Sequence, residues 1–394
     1  MSNTKETIKK YNKYVLNTYT RMPVVFVRAK GSWIWDAEGK KYLDFFPGWA
    51  VSGLGHCHPE AVKGLKKQSD KILHVSNNYY SQPQAALAEQ IIKLSFRGKV
   101  FFANSGAEAN EGAIKLARAY GKGKRYEIIT MKGSFHGRTL ATVAATGQDK
   151  VKKGFAPLPV GFKHVRFNDI DSLKKAISKK TAAVMLELIQ GEGGINIASL
   201  EYVKQLRKIC NKKKLLLIID EVQTGIGRTG KMFCYQHYGI LPDVITLAKS
   251  LGGGIPIGAM VVRDKFKNYL KPGMHASTFG GSPIVCATAL GVFEAIKKEN
   301  LLSNANRMGK YFNSKLKVLK KKYPVVKNIK QKGLMVGIEL NIKGDNIAKR
   351  CFKYGLLINC TQGNILRIMP ALIVNKSEIN KAASILDKVL EETL

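Results

Sequence analysis

Short apolar runs alternate with amphipathic stretches through the middle of the chain. Each apolar run has the nearly continuous hydrophobic character of a strand that is buried on both faces. Between the runs, as at 106–120 and 200–214, apolar residues recur at helical spacing. This alternation predicts an α/β fold in which a largely parallel sheet lies between helices. The predicted strands are 99–104, 126–130, 182–187, 215–220, 244–248 and 258–262.

The pattern changes at about residue 291. A lysine-rich helical stretch at 305–323 leads into a smaller α+β segment that ends in a helix. Residues 1–55 contain strands of their own and are expected to pack with this C-terminal part. Because the chain is longer than one folding unit of roughly 150 residues, we predict an N-terminal segment at 1–55, a large domain at 56–290 and a small domain at 291–394.

Charge is the unusual feature of the composition. The chain has 65 Lys and Arg against 28 Asp and Glu, a formal net charge of +37, which raises the possibility of a nucleic-acid or anionic-membrane partner. The basic residues are 52 lysines and 13 arginines, however, and they form short runs scattered over the whole chain. Arginine, the usual reader of bases, is scarce. We therefore expect a solvated basic surface and no nucleic-acid partner.

The sequence contains no segment suited to a membrane or to export. The N-terminal residues are polar and lack the apolar core of a signal peptide. No run approaches the roughly 18 apolar residues that cross a bilayer. The six cysteines include no CxxC pair and are not spaced like those of a disulfide framework. We expect a cytoplasmic protein with free thiols and no membrane partner.

Three predicted strands end in residues that suit one chemical site, because ligands of such sheets collect at the carboxyl ends of strands. One strand leads into Ser105, Gly106 and Ala107 at a helix start, where free backbone N–H groups attract an anion. Another ends in Asp220, a carboxylate that is costly to bury unless it meets a cation. A third leads into Lys249, whose amine becomes nucleophilic if it is desolvated.

Each of these positions also has an ordinary structural explanation. The small residues could form only a tight turn, Asp220 could be satisfied by backbone donors or a nearby base, and Lys249 is one of 52 lysines. The combination is more specific. An anion-binding turn, an acid for a ring nitrogen and an amine for an aldehyde are what pyridoxal 5′-phosphate requires.

Two other motifs suggest different chemistry. The glycines within 225–230 match GxGxxG, and 225–231 also matches GxxxxGK, so a nucleotide-binding enzyme is an alternative. Both matches lack their context, because the glycines follow the strand end at a distance and Met232 stands where a phosphate loop needs Ser or Thr. The His-Cys-His run at 56–58 lacks further ligands. It is better explained as a turn, and no metal site is expected.

A longer series of motifs runs in order from about residue 20 to 390. These are GLGHCHP (53–59), SNNYY (76–80), FFANSGAEANEGAIKLAR (101–118), SFHGRT (134–139), IQGEGGI (189–195), LLLIIDEVQTGIGRTG (215–230), LAKSLGGGIPIGA (247–259), HASTFGGSP (275–283) and LRIMP (366–370). On these motifs the sequence resembles the class III (ω-amino) pyridoxal-phosphate-dependent aminotransferases of fold type I, most closely those that act on acetylornithine. No single motif is specific, but the ordered series is.

The resemblance implies roles for the residues around the cofactor ring. Lys249 would form the Schiff base and would move the proton between the substrate carbon and the cofactor. Asp220 would keep the pyridine nitrogen protonated. Val222 and Phe135 would enclose the ring, and Gln223 would bond to its phenolic oxygen.

The resemblance also implies how the cofactor phosphate is bound. Ser105, Gly106 and Ala107 would donate hydrogen bonds to it from within the same chain. Thr278 is similar to the threonine that reaches the phosphate from the neighbouring subunit. A homodimer would therefore be needed to complete the site.

Substrate-binding residues follow from the same resemblance. Arg138 is similar to the arginine that binds the carboxylate of the acylated diamine, with Ser277 beside it. Arg367 is similar to the arginine that binds the α-carboxylate of glutamate or 2-oxoglutarate. Glu192 would act as a switch that pairs with Arg367 when an ω-amine donor is bound and releases it for glutamate.

The reaction implied is the transamination of N2-acetyl-L-ornithine with 2-oxoglutarate, giving N-acetyl-L-glutamate 5-semialdehyde and L-glutamate, a step of arginine biosynthesis. Succinyldiaminopimelate, ornithine, 4-aminobutyrate and putrescine are alternative amine donors, because one methylene or acyl group is worth only about 1–3 kcal/mol of discrimination. A nucleotide-binding enzyme that uses 225–231 and a basic binding protein without turnover are alternatives from other classes.

Overall fold

The computed structural model of this protein describes residues 4–393, and strands and helices alternate through its middle. The helices are α1 (Thr4–Tyr14), α2 (Pro59–Ser69), α3 (Gln82–Leu94), α4 (Gly106–Tyr120), α5 (Leu140–Ala145), α6 (Asp149–Lys152), α7 (Ile170–Ala176), α8 (Leu200–Lys213), α9 (Pro283–Lys298), α10 (Leu301–Lys322), α11 (Asp345–Lys353) and α12 (Lys376–Glu391). The strands are β1 (Phe26–Lys30), β2 (Trp33–Asp36), β3 (Lys41–Asp44), β4 (Gly98–Ala103), β5 (Glu127–Met131), β6 (Phe162–Val165), β7 (Thr181–Leu186), β8 (Ile189–Gln190), β9 (Asn196–Ile197), β10 (Leu216–Asp220), β11 (Val244–Leu247), β12 (Gly258–Arg263), β13 (Val326–Lys332), β14 (Met335–Leu340), β15 (Leu356–Leu357), β16 (Asn359–Thr361) and β17 (Ile365–Ile368).

A seven-stranded sheet in the order β4-β12-β11-β10-β7-β5-β6 is built from strands between residues 98 and 263. All six predicted strands belong to it, which confirms the α/β fold. Strands β11, β10, β7, β5 and β6 pair in parallel, whereas β12 runs antiparallel to both β11 and β4. Every residue of β7 and β10 is buried, as expected for strands that helices cover on both faces.

Amphipathic helices cover this sheet. In α8 the buried residues Tyr202, Val203, Leu206 and Cys210 recur at helical spacing, and Ser199 caps the first turn by accepting a hydrogen bond from the Tyr202 N–H. In α4 most of the inward positions are alanine or glycine. Small side chains allow α4 to approach the sheet closely, and this brings its N-terminus next to the ends of the central strands.

The N-terminal strands and the C-terminal part of the chain share a sheet. Its order is β1-β2-β3-β15, with Leu356 of β15 opposite Leu43 of β3. A second four-stranded sheet, β13-β14-β17-β16, lies in the C-terminal part. The boundary predicted at residue 291 falls within α9, so the division into 1–55, 56–290 and 291–394 stays a prediction.

Three features of the sequence can now be located in the structure: its hydrophobic helices, its cysteines and the His-Cys-His run at 56–58. Within residues 4–393, no helix is both long enough and apolar enough to cross a membrane. The six cysteines are unpaired. In the run at 56–58, His56 Nε2 lies 2.9 Å from Asp44 Oδ2, and His58 Nδ1 accepts a hydrogen bond from the Glu60 N–H at the start of α2. Both histidines therefore have structural partners.

Candidate active site

A cavity of about 570 Å³ lies beyond the carboxyl ends of β4, β10 and β11, where α/β sheets place their ligands. Most of the residues predicted for the site line it. These are Ser105, Gly106, Ala107, Phe135, Arg138, Glu192, Asp220, Val222, Gln223 and Lys249. The other three predicted residues, Ser277, Thr278 and Arg367, lie outside its wall.

Lys249 lies two residues after β11, at the start of a short 3₁₀ turn, Lys249–Gly252. Its φ angle is +47°, in the left-handed region that residues with a side chain seldom adopt. Strain of this kind is concentrated at active sites. Burial lowers the pKa of the Lys249 ammonium below the ordinary lysine value. The position therefore suits a nucleophilic amine.

Asp220 is the last residue of β10 and is 3% exposed. Its Oδ2 accepts a hydrogen bond from Asn110 Nδ2 at 2.8 Å and lies 2.8 Å from His136 Nδ1, while its Oδ1 accepts one from the Val222 N–H at 3.0 Å. Thr246 Oγ1 in turn donates to Asn110 Oδ1 at 2.7 Å. The carboxylate is thus held in one orientation by partners within the protein and also lines the cavity, where a cationic ligand could reach it.

The N-terminus of α4 also lines the cavity, through Ser105, Gly106 and Ala107. Ser105 caps the helix, because its Oγ accepts a hydrogen bond from the Glu108 N–H at 3.1 Å. The N–H groups of Gly106 and Ala107 belong to the first turn, where no intrahelical acceptor exists. Position 106 needs glycine, since a Cβ there would lie 2.7 Å from Val222 Cγ1. These features provide backbone donors for an anion.

The residues present fit pyridoxal phosphate. Phe135 and Val222 line the cavity from the segments that follow β5 and β10, where they can enclose a flat ring. Gln223 Oε1 is buried and has no hydrogen-bond partner within residues 4–393. Because a buried amide oxygen without a donor is costly, a ligand hydroxyl would stabilise it. Lys249 and Asp220 supply the amine and the acid in the same cavity.

Arg367 in β17 is a fully buried arginine whose carboxylate partner lines the cavity. Its Nη1 donates to Glu192 Oε1 at 2.7 Å, and its Nε and Nη2 donate to Asn359 Oδ1 at 3.2 and 2.9 Å. The guanidinium carbon lies 4.7 Å from the ring centre of Phe46 and 5.4 Å from that of Trp49. Glu192 therefore pairs with Arg367 in this structure. A buried guanidinium that lost this partner would need another carboxylate.

The remaining predicted residues are Arg138, which lines the same cavity, and Ser277 and Thr278, which do not. Arg138 is exposed at the cavity mouth, with its guanidinium carbon 5.5 Å from the ring centre of Phe135. Ser277 and Thr278 line a separate hollow of about 360 Å³. Ser277 Oγ accepts a hydrogen bond from Asn104 Nδ2 at 3.2 Å. One chain therefore does not bring Thr278 to its own cavity.

Three further buried residues line the cavity wall and were not among those predicted from the sequence: Asn110, His136 and Glu187. The first two lie within motifs that carry the family resemblance, and they hold Asp220. Glu187 follows an apolar strand, as Asp220 ends one, so the same signal could have identified it. Burial, and secondarily the negative charge of Asp220, raise the pKa of Glu187 to about 7.

The glycine-rich loop at 225–231 does not resemble a phosphate loop in its surroundings. All residues from Gly225 to Gly230 are buried. Arg228 is fully buried, and its Nη1 donates hydrogen bonds to the carbonyl groups of Leu334 and Pro370. Gly333 packs against Thr229. The loop therefore packs against the C-terminal part of the chain, and its buried residues 225–230 are not open to a nucleotide.

Comparisons with known proteins point to one family. A profile described as aminotransferase class-III matches residues 14–390. The chain is 54% identical over 385 residues to the acetylornithine aminotransferase of Caldanaerobacter subterraneus subsp. tengcongensis, covering 96% of this chain and 98% of that protein. It is 50% identical over 385 residues to the acetylornithine aminotransferase of Methanocaldococcus jannaschii, covering 96% of each. The solved ornithine aminotransferase of Toxoplasma gondii, with partial occupancy of PLP at its active site, matches with a TM-score of 0.95 at 30% identity, covering 100% of this chain and 96% of that one.

Proposed function

Since this chain belongs to the class III aminotransferases, we propose that it transfers the side-chain amino group of N2-acetyl-L-ornithine to 2-oxoglutarate. The products are N-acetyl-L-glutamate 5-semialdehyde and L-glutamate, a step of arginine biosynthesis. The observation that carries the chemistry is that Lys249, Asp220 and the N-terminus of α4 face one cavity. The substrate is supported by the 54% and 50% identity to acetylornithine aminotransferases over nearly the whole chain.

Class III aminotransferases depend on pyridoxal phosphate, which when bound supplies an electron-accepting ring and carries the amino group between the two halves of the reaction. The Lys249 amine would hold the cofactor aldehyde, and its Nζ would then take the proton from the reacting substrate carbon and return it. The Asp220 carboxylate would pair with the protonated ring nitrogen. Phe135 and Val222 would enclose the ring, and Gln223 would bond to its hydroxyl.

Two arginines would orient the substrates. Arg138, exposed at the cavity mouth, would bind the carboxylate of acetylornithine, with Ser277 nearby. Arg367 would bind the α-carboxylate of glutamate or 2-oxoglutarate once Glu192 has moved away. Because arginine and carboxylate form paired, charge-assisted hydrogen bonds, each state of Glu192 would favour a different substrate.

The assembly and the location are part of the same proposal. Thr278 lies outside the cavity of its own chain, and this supports its reaching the phosphate of a second copy in a homodimer. Ser105, Gly106 and Ala107 would provide the remaining phosphate donors. We propose a cytoplasmic location because the cysteines are not spaced as disulfide-forming pairs, and free thiols are typical of the cytosol.

The first experiment is to observe the cofactor. Purified protein should be yellow, and its visible band should vanish with borohydride and be absent from Lys249→Ala. The control is Lys231→Ala, because Lys231 ends the glycine-rich loop of the nucleotide-binding alternative. Lys231→Ala should keep both the colour and the activity. A colourless protein that binds ATP through Lys231 would overturn the proposal.

A panel of amine donors then tests the substrate. Acetylornithine, succinyldiaminopimelate, ornithine, 4-aminobutyrate and putrescine are each paired with 2-oxoglutarate and ranked by kcat/KM. Acetylornithine should have the highest value. A higher value for another donor would leave the reaction type in place and replace the substrate.

A further inference from the structure

Glu187 is a buried carboxylate in the cavity wall to which the proposed mechanism gives no role. It directly follows β7, the strand that pairs with β10, so its carboxylate lies in the neighbourhood of Asp220. The residue is 6% exposed and lines the same cavity as Lys249. A buried carboxylate needs hydrogen-bond donors, and those that Glu187 has are informative.

The two oxygens of Glu187 accept hydrogen bonds from two different loops. Oε2 accepts one from the Phe135 N–H at 3.0 Å, and Oε1 accepts one from the Gly191 N–H at 3.2 Å. Phe135 is the residue proposed to cover one face of the cofactor ring. Gly191 immediately precedes Glu192. One carboxylate therefore links the ring-binding segment to the loop that carries the switch.

The loop is tightly confined at Gly191. A Cβ at this position would overlap Gln223 Oε1, so the backbone of Gly191 lies directly against the side chain proposed to bond to the cofactor hydroxyl. The hydrogen bond to Glu187 holds the loop at this point. Moving Gly191 would also displace the neighbouring amide of Gln223.

Beyond Gly191, Glu192 is held from the opposite side. Its carbonyl oxygen accepts hydrogen bonds from Thr361 Oγ1 at 2.8 Å and Gln362 Nε2 at 2.7 Å, and its carboxylate pairs with Arg367. These three contacts come from the C-terminal part of the chain. On its other side, Glu192 follows Gly191, whose N–H is hydrogen-bonded to Glu187. The Glu192 segment is therefore fixed both by Glu187 and by the C-terminal part of the chain.

We propose that Glu187 is a positioning residue that keeps Glu192 closed over Arg367 and so sets the preference between ω-amine donors and substrates with an α-carboxylate. The inference rests on the proposed function for the identity of these substrates. A carboxylate accepts hydrogen bonds at both oxygens, whereas a carboxamide has one acceptor and one donor group. Glutamine at 187 would therefore lose the hydrogen bond to one of the two loops. Aspartate would keep the charge, but its shorter side chain would not reach the N–H groups of both loops.

The test compares Glu187→Gln and Glu187→Asp with the unchanged protein in two measurements. The first is calorimetric titration of the cofactor-free protein with glutarate, a dicarboxylate that must displace Glu192 to reach Arg367. The second is the ratio of kcat/KM for glutamate to that for acetylornithine. Because a released loop lets Glu192 leave more easily, both variants should bind glutarate about five-fold more tightly and raise the ratio to a similar extent, at the low end of ordinary coupling between sites.

Glu221→Gln is the matched control. Glu221 is also buried and also accepts hydrogen bonds from two backbone N–H groups, those of Cys234 and Tyr235 at 2.8 and 2.7 Å, but it does not line the cavity. This variant should lower the melting temperature and leave both glutarate affinity and the ratio unchanged.

The outcomes separate the explanations. If Glu187→Asp behaves like the unchanged protein, Glu187 acts through its charge and the proposal is overturned. If Glu221→Gln alters the ratio as much as Glu187→Gln, the effect is general destabilisation and the proposal is also overturned. Should Glu187→Gln fail to fold, Glu187→Asp decides. A protein inactive with acetylornithine would contradict the proposed function alone, since the glutarate titration requires no turnover.

Discussion

At the scale of single residues, the proposed choice between substrates depends on the ion pair between Glu192 and Arg367. The Arg367 side chain is fully buried, whereas that of Glu192 is 21% exposed on the cavity side. The two residues are therefore unequal, because the Glu192 side chain borders solvent whereas that of the arginine does not. In the proposed switch, Glu192 is the member that would leave when a substrate α-carboxylate enters.

Glu192→Ala should lower the ratio of acetylornithine activity to glutamate activity, each as kcat/KM, by about ten-fold, a change of roughly 1.4 kcal/mol. The reason is that Arg367 would be permanently available to an α-carboxylate and unpaired when acetylornithine binds. The matched control is Glu339→Ala. Its side chain is 19% exposed and pairs with Lys330 at 3.3 Å in the C-terminal part. The switch hypothesis is abandoned if both variants leave the ratio unchanged.

At the scale of helices and strands, the ends of elements were the most informative positions in the sequence. The ends of β10 and β11 were predicted to within a residue, and chemistry was expected immediately after them. Strand β6 was not predicted, because Phe162–Val165 contains Lys163 and His164 and is mostly only partly buried. The antiparallel direction of β12 could not be predicted either, since an apolar run has the same pattern in both directions.

Ser105→Ala tests the start of α4. Loss of the cap on the Glu108 N–H should reduce the free energy of unfolding of the cofactor-free protein by about 1 kcal/mol, measured by urea denaturation. The variant should also bind pyridoxal phosphate more weakly, because Ser105 is proposed to donate a hydrogen bond to the cofactor phosphate. Ser105→Thr keeps a hydroxyl and should retain most of the unfolding free energy and most of the cofactor affinity.

Ser81→Ala provides the comparison for this prediction. Ser81 precedes α3 in the same N-cap position, but its side chain makes no capping hydrogen bond. Its substitution should change neither the unfolding free energy nor cofactor affinity appreciably. Equal losses in the two alanine variants would contradict the role assigned to Ser105.

At the scale of the whole molecule, the proposed homodimer can be tested by complementation. In a mixed dimer of Lys249→Ala and Thr278→Ala chains, one site would receive both substitutions and the other neither. Random mixing of equal amounts should therefore restore about a quarter of the normal number of intact sites, measured as activity after co-expression. Activity no greater than the average of the two separate variants would show that Thr278 serves its own chain or neither site.

The net charge of +37 is also a property of the whole molecule. Cofactor phosphate and 2-oxoglutarate are anions, so a positive field should speed their capture, and salt limits its reach to about 8 Å at physiological ionic strength. We expect kcat/KM for 2-oxoglutarate to fall with added salt. Acetylornithine carries no net charge and is the internal control. Equal salt dependence for both substrates would exclude steering by the charge.

The sequence by itself determined the local features of this protein, namely where the strands lie and which polar residues follow them. Hydrophobic periodicity located the strands, and the polar residues that interrupt it, such as Asp220 and Lys249, identified the cavity side of the sheet. The tertiary structure decided what these residues meet. Arg367 reaches Glu192 across 175 positions of chain, and Glu187 joins two loops that no pattern connects. Periodicity reports only whether a residue faces the core, whereas such contacts depend on the order of the strands and on how distant parts of the chain pack together.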